Sequence, residues 1–187
     1  MFLYICMNSE QVMDAIKSYA SKHCVPIADD PTTQYIEWIL EKKRPIYCLE
    51  IGSAIWYSTV HIAQKISAWW GELISCEISY PSYRVCLDYI YCTLLSNIVV
   101  IHGNFLKFSH ALCTHKFDFV FIDGNKAEYL KYYLHLQPLL ATNSVLIFDD
   151  VIKYKSKVSP LIQYLDTKAV IYKIEQISKD DGILIIF

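Results

Sequence analysis

Glycine is scarce in this chain, with five in 187 residues, and no G-x-G-x-x-G run occurs. That absence disfavours a nicotinamide dehydrogenase on an α/β sheet. The seven cysteines are an odd number, and no two are spaced C-x-x-C. Cys48 and Cys76 sit inside apolar runs. Buried free thiols in a reducing cytoplasm fit this pattern better than disulfides or zinc ligands. The six histidines show no metal-ligand spacing. Basic excess is also lacking. The net charge of −2 gives no global signature for nucleic acid, although Lys42-Lys43-Arg44 and the trio Lys153, Lys155, Lys157 are local basic spots. No apolar run is long enough to span a membrane. The first seven residues are apolar but lack a basic n-region and a cleavage site, so they make a poor signal peptide. The expectation is a cytoplasmic protein with no membrane partner.

What is present is apolar mass. Hydrophobic residues make up 54% and charged residues 19%, which excludes a disordered chain. The length fits one domain, with N-terminal helices over 1–44 and an α/β core over 45–187. Residues 8–24 and 32–43 read as amphipathic helices. An alternation follows. Strands are expected at 46–51, 72–78, 98–102, 117–122 and 144–148, and helices at 57–69, 81–95, 126–140 and 159–166. Strands over 169–177 and 182–187 are joined by the hairpin-like turn Ser178-Lys179-Asp180-Asp181. This order predicts a Rossmann-like, doubly wound, mostly parallel seven-stranded sheet with helices on both faces and an antiparallel last strand.

Acid ends the two most apolar strands. Phe117-Asp118-Phe119-Val120-Phe121-Ile122 runs into Asp123-Gly124-Asn125-Lys126, and Ser144-Val145-Leu146-Ile147-Phe148 runs into Asp149-Asp150. In open α/β sheets ligands bind beyond the carboxyl ends of the strands. Asp123, Asp149 and Asp150 would gather there, with Lys126 one short turn away. Hard oxygen donors in such a cluster suit Mg²⁺ or Ca²⁺. A lysine beside a divalent cation can lose its proton more readily and act as a base. Gly52 ends the first strand and opens a helix, where a backbone can approach an anion or other ligand. Glu77 closes the second strand, a position from which a carboxylate can accept ribose hydroxyls.

Together these residues resemble the class I S-adenosylmethionine-dependent methyltransferases. More narrowly, they resemble the cation-dependent O-methyltransferases related to the catechol and caffeoyl-CoA enzymes, which include bacterial tRNA hydroxyuridine methyltransferases. The motifs are Val25-Pro26-Ile27, Leu49-Glu50-Ile51-Gly52-Ser53-Ala54-Ile55-Trp56-Tyr57-Ser58, Phe119 through Tyr129, Ile147-Phe148-Asp149-Asp150-Val151 and Asp181-Gly182. The resemblance implies S-adenosylmethionine as cofactor. Glu50 would belong to its binding site, Gly52, Ser53 and Ser58 would lie near its methionine part, Glu77 would hold the ribose, and Gly103, Asn104 and Phe105 would lie near the adenine. Asp123 would lie close to the cofactor's amino group. It also implies a divalent cation, Mg²⁺ before Mn²⁺ or Ca²⁺, on Asp123, Asp149 and Asp150, with Lys126 as catalytic base. The acceptor would be a small catechol-like diol or a hydroxylated tRNA wobble uridine, and a homodimer is left open.

The chain departs from the family pattern at three positions. Trp56 stands where a second glycine is usual, and its indole would crowd the cofactor or re-aim the loop. Asp150 replaces a frequent asparagine, and Asn104 replaces a usual aspartate. The stretch between Asp150 and Ala169 leaves little room for a substrate lid. A non-catalytic module that binds the cofactor is the rival reading.

Overall fold

A computed structural model describes residues 9–23, 25, 30–93 and 95–187. Pro26 and Ile27 of the proposed entry motif, and the apolar start of the chain, lie outside the described residues. Seven helices and seven strands are described: α1 (Ser9–His23), α2 (Asp30–Lys43), β1 (Tyr47–Ile51), α3 (Tyr57–Ser67), β2 (Glu72–Glu77), α4 (Tyr80–Thr93), β3 (Ile98–His102), α5 (Phe105–Phe108), β4 (Phe117–Ile122), α6 (Tyr129–Leu136), β5 (Leu140–Phe148), α7 (Lys155–Thr167), β6 (Tyr172–Gln176) and β7 (Gly182–Ile186). One sheet holds every strand in the order β3-β2-β1-β4-β5-β7-β6. β1 to β5 are parallel, and β7 runs antiparallel to both β5 and β6. The Rossmann-like, mostly parallel sheet with an antiparallel last strand is as the sequence predicted.

The two faces of the sheet follow the period of two along each strand. Leu49, Ile51, Val120, Ile122, Leu146 and Phe148 pack against α6 and α7. Their neighbours Cys48, Phe119, Phe121, Val145 and Ile147 pack against α2 and α3. Burial on both faces explains why β4 and β5 read as continuous apolar runs rather than alternating ones. Cys48, Cys76 and Cys86 are buried free thiols and Cys113 is an exposed one. Among the described residues no helix is long and apolar enough to cross a membrane.

Three element boundaries differ from expectation. The predicted helix over 126–140 is broken: a 3₁₀ turn at Lys126–Glu128 precedes α6, and a second at Gln137–Leu139, carrying Pro138, follows it. β5 therefore starts at Leu140, four residues early, with a register shift against β4 between Phe117 and Phe119. α7 starts at Lys155 and contains Pro160. Proline there leaves the Ser156 carbonyl without its i+4 donor. The Ser159 hydroxyl donates to that carbonyl at 3.0 Å, which lets the helix continue through the proline. The segment after β3, which showed no clear pattern, folds as α5 and a short 3₁₀ turn.

A third cluster lies under α1. Val12, Ile16 and Ala20, spaced by four along one face of that helix, pack on Ile55, Trp56, Tyr57, Val60 and Cys86. Trp56 is the largest fully buried side chain described. Its indole is in this core and lines neither of the two cavities at the strand ends. The backbone does bend there. Trp56 has φ 84° and Ala54 φ 46°, conformations that L-residues with a bulky side chain rarely adopt. Burial of the ring against α1 compensates for the strained turn.

Candidate active site

Register brings the strand ends together. Ile51 pairs with Cys76 on one side and Ile122 on the other, and Ile122 pairs with Phe148. The next residue of each strand, Gly52, Glu77, Asp123 and Asp149, therefore emerges at one level. Backbone bonds continue the ladder one step: Asp123 N–H donates to Ile51 at 2.9 Å and Asp149 N–H to Ile122 at 3.0 Å. Strand order reverses between β1 and β4, and such a switch point opens a crevice at the carboxyl edge. Gly52 is required here. It has φ 95°, and a Cβ would lie 2.8 Å from the Gly124 nitrogen and 2.9 Å from the Asp123 carbonyl. These are backbone atoms of the neighbouring strand end and cannot move aside.

Two cavities flank this crossing and meet at Gly124. The larger, about 520 Å³, is lined by Asp123, Lys126, Asp149, Asp150 and Asp181, with Ala54 and Thr32 on the side of the N-terminal helices. The smaller, about 210 Å³, is lined by Gly52, Ile78, Gly103, Asn104, Phe105 and Tyr132. The proposed metal and base residues thus share one cavity, and the proposed adenine residues share the other. Glu50, Ser53, Ser58 and Glu77 line neither.

Glu50 is fully buried. Its carboxylate accepts from the hydroxyls of Ser58 and Ser75, each at 2.5 Å, and from Thr59. Burial pushes its pKa up to about 7, against the pull of those three donors. It ties β1 to β2 and to the first turn of α3, below the loop that carries Gly52. The Ser58 hydroxyl is spent on it, and the Ser53 hydroxyl lies 3.7 Å from the Cys86 thiol. Glu77 accepts the Ala54 N–H at 2.8 Å and the Ser79 N–H at 2.6 Å. Burial raises its pKa although these amides oppose the shift. Glu77 therefore holds the strained loop after β1 to the end of β2. Asn104 caps α5 by accepting the Leu106 N–H at 2.9 Å.

The large cavity is electrostatically crowded. Lys126 pairs with Asp123 and lies 3.0 Å from Asp150. Burial would lower its pKa, but the two carboxylates outweigh burial and hold the ammonium above the ordinary lysine value. Asp123 is raised by burial and by Asp150, with Lys126 only partly offsetting them. Burial opposes ionisation of Asp150 too, yet a hydrogen bond with Asp181 and the charges of Lys126 and Lys153 carry it below the usual value. Asp149 has no ion pair among the described residues. Burial, then Asp123 and Asp150, drive it well above the carboxylate range.

Among the described residues no group of three or more carboxylate, imidazole or thiol ligands stands arranged to hold a metal ion. The ammonium of Lys126 lies between Asp123 and Asp150. The donor chemistry nonetheless fits a hard cation: the candidate donors are all oxygens, and one, on Asp149, is buried with no ion pair among the described residues.

Two residues were missed by sequence reasoning. Tyr129 enters the sequence reading only as the last residue of a motif. Its buried hydroxyl lies 2.8 Å from the Asp149 carbonyl and 3.1 Å from that of Ile122, bracing the two acid-bearing strand ends. Asp181 was read as the entry to the last strand. It faces the cavity and shares a hydrogen bond with Asp150, and burial raises its pKa to about 6. The doubled acid before Gly182 was the available signal.

A family model described as O-methyltransferase matches residues 6–186. The chain belongs to this O-methyltransferase family. Solved structures share its fold. The O-methyltransferase from Bacillus cereus in complex with SAH superposes with a TM-score of 0.81 at 18% identity, over 94% of this chain and 90% of that one. The O-methyltransferase TomG from Streptomyces achromogenes, involved in tomaymycin synthesis and in complex with SAM, gives 0.82 at 16% identity, over 94% and 89%. The SAH-bound methyltransferase PaMTH1 from Podospora anserina gives 0.77 at 16% identity, over 96% and 87%. The motifs quoted from the sequence had pointed to this cation-dependent group, and the chain is an S-adenosylmethionine-dependent O-methyltransferase in class.

Proposed function

We propose that this O-methyltransferase moves a methyl group from S-adenosylmethionine to one hydroxyl of a metal-chelated vicinal diol. One observation carries the reading: Asp123, Asp149, Asp150 and Lys126 line a single cavity that meets, at Gly124, a second cavity holding Gly103, Asn104 and Phe105. The smaller cavity suits an adenosine, with Glu77 and the loop after Gly52 beside it. S-adenosylmethionine supplies an electrophilic methyl on sulfur. A divalent cation, Mg²⁺ first, supplies charge that favours the ionised form of the acceptor oxygens. Asp123, Asp149 and Asp150 would hold that cation.

Lys126 Nζ receives the proton of the attacking hydroxyl. It can do so only when the two carboxylates that now hold its ammonium are neutralised by another charge. Those carboxylates are the ones assigned to the cation, so metal binding and base function use the same groups. The oxygen–carbon bond forms as the carbon–sulfur bond breaks, and the proton ends on lysine. Tyr129 keeps the strand ends at fixed spacing throughout. The rival reading, a non-catalytic cofactor-binding module, was prompted by Trp56 and the short lid region. With the indole buried under α1, the first of those motives falls away.

Two variants test this. Asp149→Ala should lose calorimetric binding of Mg²⁺ and all cation-dependent transfer. In EDTA it should melt at or above wild type, because a buried like-charge contact is gone. Undiminished Mg²⁺ binding would remove Asp149 from the site. Glu77→Ala should weaken S-adenosylmethionine binding by about 10–100-fold, the value of a hydrogen bond to a charged group. Equal affinity in a titration of the variant would take Glu77 out of the cofactor site.

A further inference from the structure

The acceptor cavity carries a second feature that the methyl-transfer chemistry does not use. Three ammonium groups gather around one ring. Lys157, Lys153 and Lys126 place Nζ at 5.0, 5.4 and 6.0 Å from the centroid of Tyr154. The ring faces attract each cation, but like charges held that closely repel one another. Lys126 is neutralised by Asp123 and Asp150. Lys153 reaches Asp150 only at 3.9 Å. Lys157 has no ion pair among the described residues, and both Lys153 and Lys157 line the 520 Å³ cavity with Tyr154.

The helix adds to this imbalance. α7 is 13 residues long, has no acidic residue in its first turn, and no side chain caps it at Tyr154. Its first turn instead carries Lys155 and Lys157. Cations at a helix N-terminus oppose the macrodipole, and an anion there is favoured. The convergent ammonium groups, with the uncapped start of α7 beside them, therefore call for negative charge at one point of the cavity wall.

We propose that Lys153 and Lys157, gathered on Tyr154, form a subsite for a carboxylate on the acceptor, which makes the acceptor a small acidic vicinal diol. The inference rests on the O-methyltransferase reading of the same cavity. The carboxylate would sit on the α7 side while the two hydroxyls face Asp123, Asp149 and Asp150. Asp180 and Asp181 also line this cavity. Their charge disfavours a doubly charged phosphate and a polyanion such as RNA, and leaves a single negative charge as the best match.

The test is calorimetric titration of the full chain, with S-adenosylhomocysteine and Mg²⁺ present, using 3,4-dihydroxybenzoate, catechol and a uridine-containing RNA hairpin. Dihydroxybenzoate should bind about tenfold or more tightly than catechol, as for hydrogen bonds to a charged group. In a Lys153→Gln/Lys157→Gln double variant that preference should vanish. In Lys168→Gln, at the far end of α7, it should remain. Equal affinity of wild type for the two catechols, a preference that survives in the double variant, or tighter binding of the RNA than of either catechol would each overturn the subsite. Preference for the acid without methyl transfer to either hydroxyl would support the subsite and overturn the proposed function instead.

Discussion

Replacing Lys126 by alanine is expected to slow methyl transfer by about 10²–10⁴-fold, the range for loss of a general base, while Mg²⁺ binding persists. The side chain is only 12% exposed and its ammonium bridges Asp123 and Asp150. Removing it leaves those carboxylates and Asp149 facing one another, with only the exposed Lys153, 3.9 Å from Asp150, as a counter-charge. Breaking a buried pair in this way costs about 3–5 kcal/mol. The variant should therefore melt well below wild type in EDTA and recover when Mg²⁺ takes up the excess charge. Single-turnover rates at saturating Mg²⁺ separate the two effects, because stability is then restored and only proton acceptance is missing. A Lys126→Ala enzyme as fast as wild type, or one whose melting ignores Mg²⁺, would contradict the role assigned to this lysine.

Trp56→Gly is expected to lower stability whether or not Mg²⁺ is present. Glycine is the better residue for the backbone, since φ is 84° at this position. Relief of a left-handed conformation returns about 1–2 kcal/mol. The indole, however, is 0% exposed and fills the space between α1, α3 and α4. Deleting a buried aromatic ring costs about 3–5 kcal/mol. The cavity outweighs the strain, and the net loss is about 1–4 kcal/mol. For a domain of this size that lowers Tm by roughly 2–16 °C. Trp56→Phe should lose much less, because it keeps a ring and drops an indole N–H that is buried without a partner among the described residues. Thermal melts of both variants, with calorimetry for S-adenosylmethionine, decide the matter. A glycine variant as stable as wild type that binds cofactor more tightly would mean that the indole presses on the ligand after all.

Much of the candidate site was legible because strand ends are legible. A run such as Phe119-Val120-Phe121-Ile122 can only be buried, so the aspartate that follows it must emerge at the edge. The parallel alternation then puts Asp123, Asp149 and Glu77 on the same edge. What the sequence does not carry is where side chains turn once they arrive. Glu50 and Ser58 sit in the cofactor motif, yet they bond to each other inside the protein, because an odd or even place along β1 and one turn of α3 set their facing. Trp56 occupies a glycine position and resolves the conflict through contact with Val12 and Ile16, some forty residues away in sequence. Lys126 between Asp123 and Asp150 is likewise a tertiary arrangement that spacing leaves open. The early start of α7 was hidden by Pro160, whose missing donor is replaced by the Ser159 hydroxyl.

The central claim is methyl transfer to a chelated diol, and its most direct test is a radiolabelled assay. Purified protein with labelled S-adenosylmethionine and either 3,4-dihydroxybenzoate or catechol would be followed in Mg²⁺ and in EDTA. The account predicts a monomethylated product in Mg²⁺ and none in EDTA. Product formed at the same rate in EDTA would contradict it.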